Sequence, residues 1–435
     1  MLEPVGKFSK KTKEEKIAWL CDSYLSHLPD AKTILKDYWL RDEDLQRLHD
    51  DFIENSISNY ILPFGIAPNF LINDSLYTIP MVIEESSVVA AASNAAKFWL
   101  KRGGFKAEVI DTLKNGQIHL DYFGRKELLF EFFEEIQPKL LESIESIEKN
   151  MKRRGGGLDS LELIDKTDEL EGYYQLSATF KTGDAMGANF INSCLEKMAA
   201  TLEEHAQSFD AFHSERPEVV MSILSNYVPD CRVRANVSCP VEELDQEGLE
   251  GEQFAQKFVR AVDIAKNEVR RAVTHNKGIM NGIDAVIVAT GNDFRAVEAG
   301  IHAYASKDGS YTSLTDASVE KGIFTFSIEI PLAIGTVGGL TSLHPMVRLA
   351  FEILQKPSAK ELMQIVAVAG LAQNFAAIRS LVTTGIQKGH MKMHLMNILN
   401  QLQATPSEVS KAQDHFDKTS VSHSAVVDYI EQIRH

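Results

Sequence analysis

The 435-residue sequence predicts an α+β fold in which a ferredoxin-like βαββαβ domain is inserted into a larger, mainly helical domain. Residues 105–225 show alternating and amphipathic stretches in the order strand, helix, strand, strand, helix, strand, which is the order of that split motif. On either side, residues 12–52, 254–273 and 346–386 repeat apolar positions at helical spacing. The smaller domain therefore interrupts a helical body.

Local patterns define the individual elements. Within the insert the predicted strands and helices are 119–122, 126–152, 161–164, 173–180, 185–206 and 219–224. Before it, several prolines and the turn signal Asn73-Asp74 predict loops and short strands over 59–82, and a helix of small residues follows over 84–100. The apolar run 285–289 fits a helix or a strand equally well.

The formal net charge of −16 at pH 7 excludes one broad class of partner. Nucleic-acid binding requires clustered Lys and Arg against the phosphate backbone, which an acidic surface opposes. Cys21, Cys194, Cys231 and Cys239 form neither a Cys-x-x-Cys pair nor the Cys/His spacing of a zinc site, so they are predicted to be reduced, buried thiols. We expect neither a nucleic-acid partner nor a metal.

The sequence predicts a cytoplasmic protein without a membrane segment. Its N-terminus, from Lys7 to Lys16, carries charges where a secretory signal would need its apolar run. No run of about eighteen apolar residues able to cross a bilayer is recognised along the chain.

The segment 274–293 places Lys277 and Asp293 on a scaffold of glycines and other small residues. An ammonium can stabilise negative charge that develops on a carbonyl oxygen, and a neighbouring acid can relay protons. The alternative is a surface ion pair of little energetic worth. The segment alone is compatible with both roles.

Glu85 stands at the start of the helix of small residues and also has two interpretations. In an apolar pocket a carboxyl group keeps its proton more readily and can serve as a proton donor. An acid in the first turn of a helix can equally serve only to complement the helix dipole. Spacing does not decide between these roles.

The segment 182–189 lies at a predicted strand-to-helix junction and contains Asp184, Gly187 and Ala188. Free N–H groups at a helix start attract phosphate, and the small residues would let a pyrophosphate approach closely. The alternative is that Asp184 is an ordinary N-cap on a helix that packs through small residues. Neither a Gly-x-Gly-x-x-Gly motif after a strand nor a Gly-Lys-Ser/Thr phosphate loop occurs in the sequence.

Gly385 and Gly389 precede a polar, helical C-terminal segment and could act as hinges of a mobile cap. His390 follows this hinge, and His394 lies one helical turn later. Two histidines at that spacing could bind a metal, but the glutamate of a metalloprotease motif is absent between them, so no metal is expected. A histidine on a mobile segment can instead be delivered to a site as a general acid.

Taken together, these segments resemble the 3-hydroxy-3-methylglutaryl-coenzyme A (HMG-CoA) reductases, specifically the soluble bacterial class II. The shared motifs occur in family order over nearly the whole chain, at 54–57, 84–85, 184–189, 225–226, 271–293, 335–339 and 389–391. The resemblance implies a large domain in two parts, 1–110 and 226–385, an inserted ferredoxin-like nicotinamide-cofactor domain, 111–225, and a C-terminal helical flap, 386–435.

The resemblance also implies a reaction and an assembly. HMG-CoA would be reduced by four electrons to mevalonate and free coenzyme A, with two molecules of NADH or NADPH, in the mevalonate pathway of isoprenoid biosynthesis. The protein would be a homodimer, or a higher oligomer, with active sites at the subunit interface.

Roles follow from the resemblance residue by residue. Lys277 would stabilise the oxyanions, Glu85 would supply protons to the carbonyl oxygen, and Asp293 would orient and tune both. His390 would protonate the departing coenzyme A thiolate, which leaves poorly without a proton. Ser87, Arg271, Asn226 and Asn281 match substrate-binding positions, and Asp184, Met186, Gly187, Ala188 and Asn189 match the cofactor-binding cleft.

The choice of cofactor depends on the segment after the glycine run 155–157. NAD-preferring relatives carry an aspartate three residues past these glycines, where this chain has Ser160, with Asp159 one place earlier. The basic run 152–154 lies close by and could pair with a 2′-phosphate. The sequence therefore leans to NADPH, and NADH is favoured if Asp159 takes over the role of the missing aspartate.

Two alternatives to this function remain open from the sequence. The same catalyst could work in the oxidative direction and degrade mevalonate, because sequence does not determine the direction. A non-catalytic oligomer that binds an acyl-coenzyme A or a nucleotide could retain the fold without the chemistry. The presence of Lys277, Glu85, Asp293 and His390 argues against that second alternative.

Overall fold

The computed structural model describes residues 4–246, 248–383, 395–416, 419 and 421–434, and the chain divides into two compact units between Pro63 and Phe64. The first unit contains the helices α1 (Lys13–Tyr24), α2 (Ala31–Asp37) and α3 (Glu43–Asp50), as the sequence predicts for residues 12–52. Thr12 and Glu15 form a capping box at the start of α1. Their side chains satisfy N–H groups that the first helical turn leaves free.

The second unit begins with a hairpin that leads into the helix of small residues. Strands β1 (Phe64–Ile72) and β2 (Ser75–Val82) pair antiparallel and turn through Asn73 and Asp74, which adopt φ values of 47° and 67°. Helix α4 (Val88–Leu100) and strand β3 (Lys106–Val109) follow. Because α4 begins at Val88, residues 84–87 form a connecting loop and are not the first helical turn that the sequence predicts.

The predicted ferredoxin-like domain is confirmed by the order and pairing of its strands. Its elements are β4 (Lys114–Asp121), α5 (Lys126–Ser143), α6 (Glu145–Lys152), β5 (Gly157–Asp165), β6 (Tyr173–Lys181), α7 (Ala188–Ser208) and β7 (Glu218–Leu224). The strands lie side by side in the order β5-β6-β4-β7, with every neighbouring pair antiparallel. Apolar side chains of this sheet and its helices form a separate core. The boundaries 111 and 225 stay a prediction.

A second four-stranded sheet was not among the predicted elements. It contains β3, β8 (Arg232–Pro240), β9 (Thr315–Glu320) and β10 (Ile323–Pro331), in the antiparallel order β3-β8-β10-β9. Helices α8 (Gly251–Asn267), α9 (Val269–Ala289) and α10 (Phe294–Tyr304) lie between β8 and β9 in the chain. The run 285–289, which periodicity left open, is the last part of α9.

Helices α11 (Leu340–Leu343), α12 (Pro345–Ile353) and α13 (Ala359–Val382) follow the sheet. By length and composition α13 could cross a bilayer, so the expectation that no such stretch exists was wrong. However, 67% of its apolar window is buried within the protein, where α13 packs against α9 and α4. An apolar helix that is surrounded by protein is the ordinary centre of a globular core.

The described part of the C-terminal segment is helical, as the sequence predicts. Its helices are α14 (395–401), α15 (Pro406–Phe416) and α16 (His423–Arg434). Buried residues such as Leu399, Ala412 and Val426 form a small apolar cluster between them. All the cysteines are free, and three of them are buried while Cys21 is half-buried.

Candidate active site

The candidate active site is built on an ion pair between Lys277 and Glu85. Lys277 lies in the third turn of α9 and Glu85 in the loop between β2 and α4, and the Nζ and Oε2 atoms are 2.5 Å apart. Asn281, one turn further along α9, donates to the same carboxylate oxygen over 3.4 Å. The side chains of Lys277 and Glu85 remain 59% and 39% exposed, so a ligand can reach both. Two of the predicted catalytic residues are thus in direct contact.

The pair lies in a cleft of about 440 Å³ that α4, α9 and α13 line. Residues three or four apart on a helix share a face, which brings Thr274, Gly278 and Asn281 of α9 to the cleft together. Arg271 lines the cleft from the start of α9, and Ser87, the N-cap residue of α4, lines it from the opposite wall. Three of the predicted substrate-binding residues, Ser87, Arg271 and Asn281, therefore surround the Lys277–Glu85 pair.

Close packing of α13 against α9 forms another wall of the cleft. A Cβ atom on Gly282 would lie 2.5 Å from the carbonyl oxygen of Ala369, so a residue with a side chain would push the two helices apart. Glycine at this position allows the approach, and the approach places Gln373 and Asn374 of α13 at the cleft.

Gln373 and Asn374 were not identified from the sequence. Asn374 is buried, and its Nδ2 donates to the carbonyl oxygen of His275 over 3.2 Å while its Oδ1 accepts from the Thr315 hydroxyl over 3.2 Å. The buried Oε1 of Gln373 has no hydrogen-bond partner within the described residues. The available signal was a pair of adjacent amides within the otherwise apolar stretch 365–378 of α13, because buried amides need partners.

Asp293 does not lie in this cleft within a single chain. It is the N-cap residue of α10, and its Oδ1 accepts from the N–H groups of Arg295 and Ala296 over 3.1 and 3.2 Å. Between Lys277 and the end of α9 at Ala289 the helix rises by about 18 Å, at about 1.5 Å per residue. The continuous helix thus separates a lysine and an acid that the sequence places in one segment.

Two further predicted residues lie outside the cleft or outside the described chain. Asn226 lies beside Met186 and Gly300 at a small separate cavity. His390, with both glycines of the predicted hinge, lies outside the described residues. Over the part of the chain that is described, no group of three or more His, Cys, Asp or Glu side chains could hold a metal ion.

The predicted cofactor segment forms a loop, 182–187, between β6 and α7. Gly187 precedes α7 with a φ of 96°, and a Cβ there would lie 2.4 Å from the Cγ2 of Thr182. The carboxylate of Asp184 accepts from the N–H of Ala359 at the start of α13 over 2.8 Å, so the alternative that it caps its own helix is wrong. In α7, which is described throughout, the first turn has no acidic residue and no side-chain cap. Its first residues, Ala188 and Asn189, therefore offer N–H groups to an anion.

A second cleft of about 440 Å³ lies between α6 and β5 and contains Asp159 and Ser160. Asp159 occupies an irregularity in the pairing of β5 with β6, and its carboxylate lies 2.6 Å from the Nζ of Lys181. The Ser160 hydroxyl is 2.7 Å from that of Thr179. Both side chains that the sequence singled out for cofactor selectivity are thus engaged by neighbouring residues of β6.

The sequence matches known proteins over most of its length. Residues 22–395 match the family model described as Hydroxymethylglutaryl-coenzyme A reductase. The chain is 39% identical over 366 residues to the 3-hydroxy-3-methylglutaryl-coenzyme A reductase of Archaeoglobus fulgidus, a match that covers 83% of this chain and 80% of the relative. It is 37% identical over 358 residues to a probable reductase of the same description from Borreliella burgdorferi, covering 81% and 80% of the two chains.

The chain also matches solved structures of 3-hydroxy-3-methylglutaryl-coenzyme A reductases. The 3-hydroxy-3-methylglutaryl-coenzyme A reductase of Streptococcus pneumoniae matches with a TM-score of 0.73 at 34% identity and covers 99% of this chain and 100% of its own. A structure of the class II enzyme from the same organism, bound to NADPH in open conformations, matches with a TM-score of 0.71 at 35% identity, covering 88% and 100%.

An ammonium and a carboxyl group that meet in a cleft suit the reduction of a carbonyl carbon, and a helix start suits the phosphates of a nicotinamide cofactor; the family matches assign the chain to the nicotinamide-dependent oxidoreductases. The matches over residues 22–395 and at 39% identity make the assignment specific. The chain belongs to the hydroxymethylglutaryl-coenzyme A reductase family, and its α+β fold is that of the class II enzymes.

Proposed function

We propose that this protein reduces HMG-CoA to mevalonate and free coenzyme A with two molecules of a reduced nicotinamide cofactor. The observation that carries the proposal is the 2.5 Å contact between Lys277 and Glu85 in an open cleft, in a chain that belongs to the reductase family. The reaction requires a positive charge and a proton donor at one carbonyl oxygen. These two side chains meet that requirement from opposite walls of the cleft.

Each reduction step converts a carbonyl group into an oxyanion. The Lys277 ammonium stabilises this charge, and Glu85, held by Lys277 and Asn281, takes up a proton from solvent and passes it to the oxyanion. The bound nicotinamide supplies the hydride. The thiolate of coenzyme A leaves after the first reduction, and we assign its protonation to His390, as the family resemblance implies.

We propose that the protein is at least a homodimer in which Asp293 completes the site of the partner subunit. This proposal is supported by the position of Asp293 at the start of α10. Between Lys277 and the end of α9 the helix is about 18 Å long, and Asp293 lies after that end. The Asp293 side chain is paired with the exposed Arg295 over 3.2 Å and is itself 45% exposed, so a second subunit can reach it. A symmetric dimer would form two identical sites in this way.

We propose NADPH as the preferred cofactor. The Asp159 carboxylate is paired with Lys181, and Lys152 is paired with the buried carboxylate of Glu148 over 2.7 Å. Arg153 and Arg154 directly follow Lys152 in the chain, are exposed, and have no ion-pair partner among the described residues. Free guanidinium groups can bind a 2′-phosphate without first breaking an existing ion pair.

We also propose that the enzyme works in the cytoplasm. Its longest apolar helix, α13, is mostly buried within the protein and is therefore not available to a membrane. The substrates and cofactors of the proposed reaction carry several phosphate charges and require an aqueous phase.

The test is direct. Purified protein is mixed with HMG-CoA and NADPH or NADH, and the loss of reduced nicotinamide is followed together with the release of free thiol. We expect two molecules of cofactor to be oxidised for each thiol released, with a higher kcat/KM for NADPH than for NADH. A mixture that is inert with both cofactors would favour the non-catalytic binding protein, and turnover only of mevalonate with oxidised cofactor and coenzyme A would favour the degradative direction.

The role of the arginines is tested separately. Replacing both Arg153 and Arg154 by Ala should lower kcat/KM for NADPH by about tenfold or more and leave the value for NADH nearly unchanged, because only NADPH carries the 2′-phosphate. Equal losses with the two cofactors would remove the arginines from cofactor selection.

A further inference from the structure

Lys114 is a buried lysine beneath the proposed cofactor loop. It is the first residue of β4 and is only 5% exposed. Its Nζ donates to the hydroxyl of Thr182 and, over 3.1 Å, to the carbonyl oxygen of Ala185. The Thr182 hydroxyl in turn donates to the same carbonyl oxygen over 2.7 Å. One side chain from β4 thus ties together both ends of the turn 182–185.

The ammonium group of Lys114 has no carboxylate partner among the described residues. The Cys231 thiol lies near it, but burial raises the pKa of Cys231 to about 11, so this thiol is neutral at pH 7. Burial also lowers the pKa of Lys114, because neutral oxygens only partly replace the lost hydration of an ammonium. An unpaired cation in this place costs folding free energy that an apolar side chain of similar length would not cost.

The surroundings of Lys114 suit an anion. The turn that it holds leads through Gly187 into α7, a helix of 21 residues whose start carries partial positive charge. Phosphate bound at this helix start would interact with its free N–H groups and would also feel the charge of the ammonium group behind the turn. The cost of burying the cation is then offset in the complex with an anionic ligand.

We propose that Lys114 is a positioning residue of the cofactor site. It holds the turn 182–185 in the shape that directs the first N–H groups of α7 to the phosphates of the dinucleotide, and its charge partly offsets theirs. The inference rests on the proposed function, because it names a residue that serves the same cofactor.

Lys114→Met removes the charge and the donors while keeping a long apolar side chain. We expect the KM for the reduced cofactor to rise about tenfold or more, because the turn loses the side chain that holds it and the phosphates lose a nearby positive charge. The KM for HMG-CoA and the kcat at saturating cofactor should change by less than about twofold, a difference that corresponds to well under 1 kcal/mol. The matched control is Lys106→Met on β3, an exposed lysine 2.8 Å from Asp74, which should leave all three constants unchanged.

A binding measurement separates this role from a purely structural one. The probes are ADP-ribose, which contains the pyrophosphate, and adenosine, which does not, and their affinities are measured by calorimetry. Lys114→Met should weaken ADP-ribose binding and should not change adenosine binding. Wild-type affinity of the variant for ADP-ribose, or an equal loss for both probes, would overturn the inference.

A second variant covers the case in which Lys114→Met does not fold. Thr182→Val keeps the shape of the side chain and removes the hydroxyl between Lys114 and the Ala185 carbonyl, so the cofactor KM should again rise without a change in the KM for HMG-CoA. An unchanged cofactor KM in that variant would overturn the inference. Absence of any reductase activity in the wild-type protein would instead refute the proposed function.

Discussion

Lys277 and Glu85 are 192 positions apart in the sequence, yet their side-chain nitrogen and oxygen atoms lie 2.5 Å from each other. The lysine is held on α9, a continuous helix of 21 residues, and the carboxylate stands on a loop that ends at the N-cap of α4. The two walls of the cleft therefore bring a positive charge and a proton donor to the same point.

Lys277→Ala should lower kcat by about a hundredfold to a thousandfold, because it removes the group that stabilises the oxyanion in the transition state. The melting temperature should hardly change, since ion pairs between partly exposed side chains contribute little to stability. Steady-state kinetics and thermal unfolding measure the two effects. Lys266→Ala on α8, which removes an exposed ion pair with Asp316, is the matched control and should be fully active. A Lys277 variant with most of its activity would contradict the assignment.

Asp293→Ala should also be inactive, and mixing it with Lys277→Ala tests where Asp293 acts. If each site takes its aspartate from the partner subunit, half of the randomly mixed dimers contain one intact site, so about a quarter of the wild-type activity should return. If Asp293 acts within its own chain, every site in the mixture is defective. Activity after subunit exchange distinguishes the two cases, and no recovery despite verified exchange would rule out the shared site.

Gln373→Leu should raise the KM for HMG-CoA by about tenfold and leave the melting temperature unchanged or higher. The buried Oε1 of Gln373 lines the cleft without a partner from the described protein, so it is available to accept a hydrogen bond from the substrate. Gln364→Leu, in the same helix, loses only a bond to the Ala107 carbonyl and should not affect the KM. If both variants bind the substrate equally well, Gln373 has a structural role only.

The stability of the protein should fall as the pH rises from about 6.5 to about 8. Asp284 lies two turns after Lys277 on α9, and burial together with the neighbouring carboxyl of Glu298 raises its pKa to about 8. The folded state then binds a proton that the unfolded state, with a pKa of 3.8, has already released. The stabilising effect of this proton on the folded protein is complete below pH 3.8, the pKa of Asp284 in the unfolded state. It is lost as the pH rises to about 8, the pKa in the folded state, and above it.

A second buried group acts in the opposite direction at lower pH. Burial lowers the pKa of His275 to about 3, so stability from His275 is lost as the pH falls below about 6.5. Above about pH 6.5, Asp284 is the one of these two groups that still makes the free energy of unfolding change with pH. Melting temperatures measured from pH 6.5 to about 8, below the range in which the unfolded thiols lose their protons, should therefore decline in the wild-type protein and stay level in Asp284→Asn. The same decline in both proteins would show that another group is responsible.

The order of strands and helices in the ferredoxin-like domain could be predicted because each element carries its own periodicity. Alternation marks β4 and β6, and the amphipathic run from Lys126 to Lys152 marks α5 and α6. The sheet β3-β8-β10-β9 was missed although β10 alternates in the same way, with Phe324, Phe326 and Ile328 buried on one face. Its pairing with β8 joins segments that are about ninety residues apart, and one-dimensional patterns do not show such pairings.

The family motifs predict Glu85, Lys277, Arg271 and Asn281 as site residues, because the residue types and their order along the chain are sufficient for that. The four-residue spacing of Lys277 and Asn281 puts them on one face of α9, although the sequence predicts a helix only as far as residue 273. These properties depend on residues that are close in the chain, and the sequence contains that information directly.

Only the packed chain revealed the contact of Lys114 with Thr182, 68 positions away, the free amide oxygen of Gln373, and the separation of Asp293 from Lys277 by the rest of α9. Each of these depends on how closely two elements approach, as when Gly282 allows α13 to touch α9. Periodicity reports which face of an element is apolar but not which other element covers it. Contacts between distant segments are therefore decided by the packing of the whole chain.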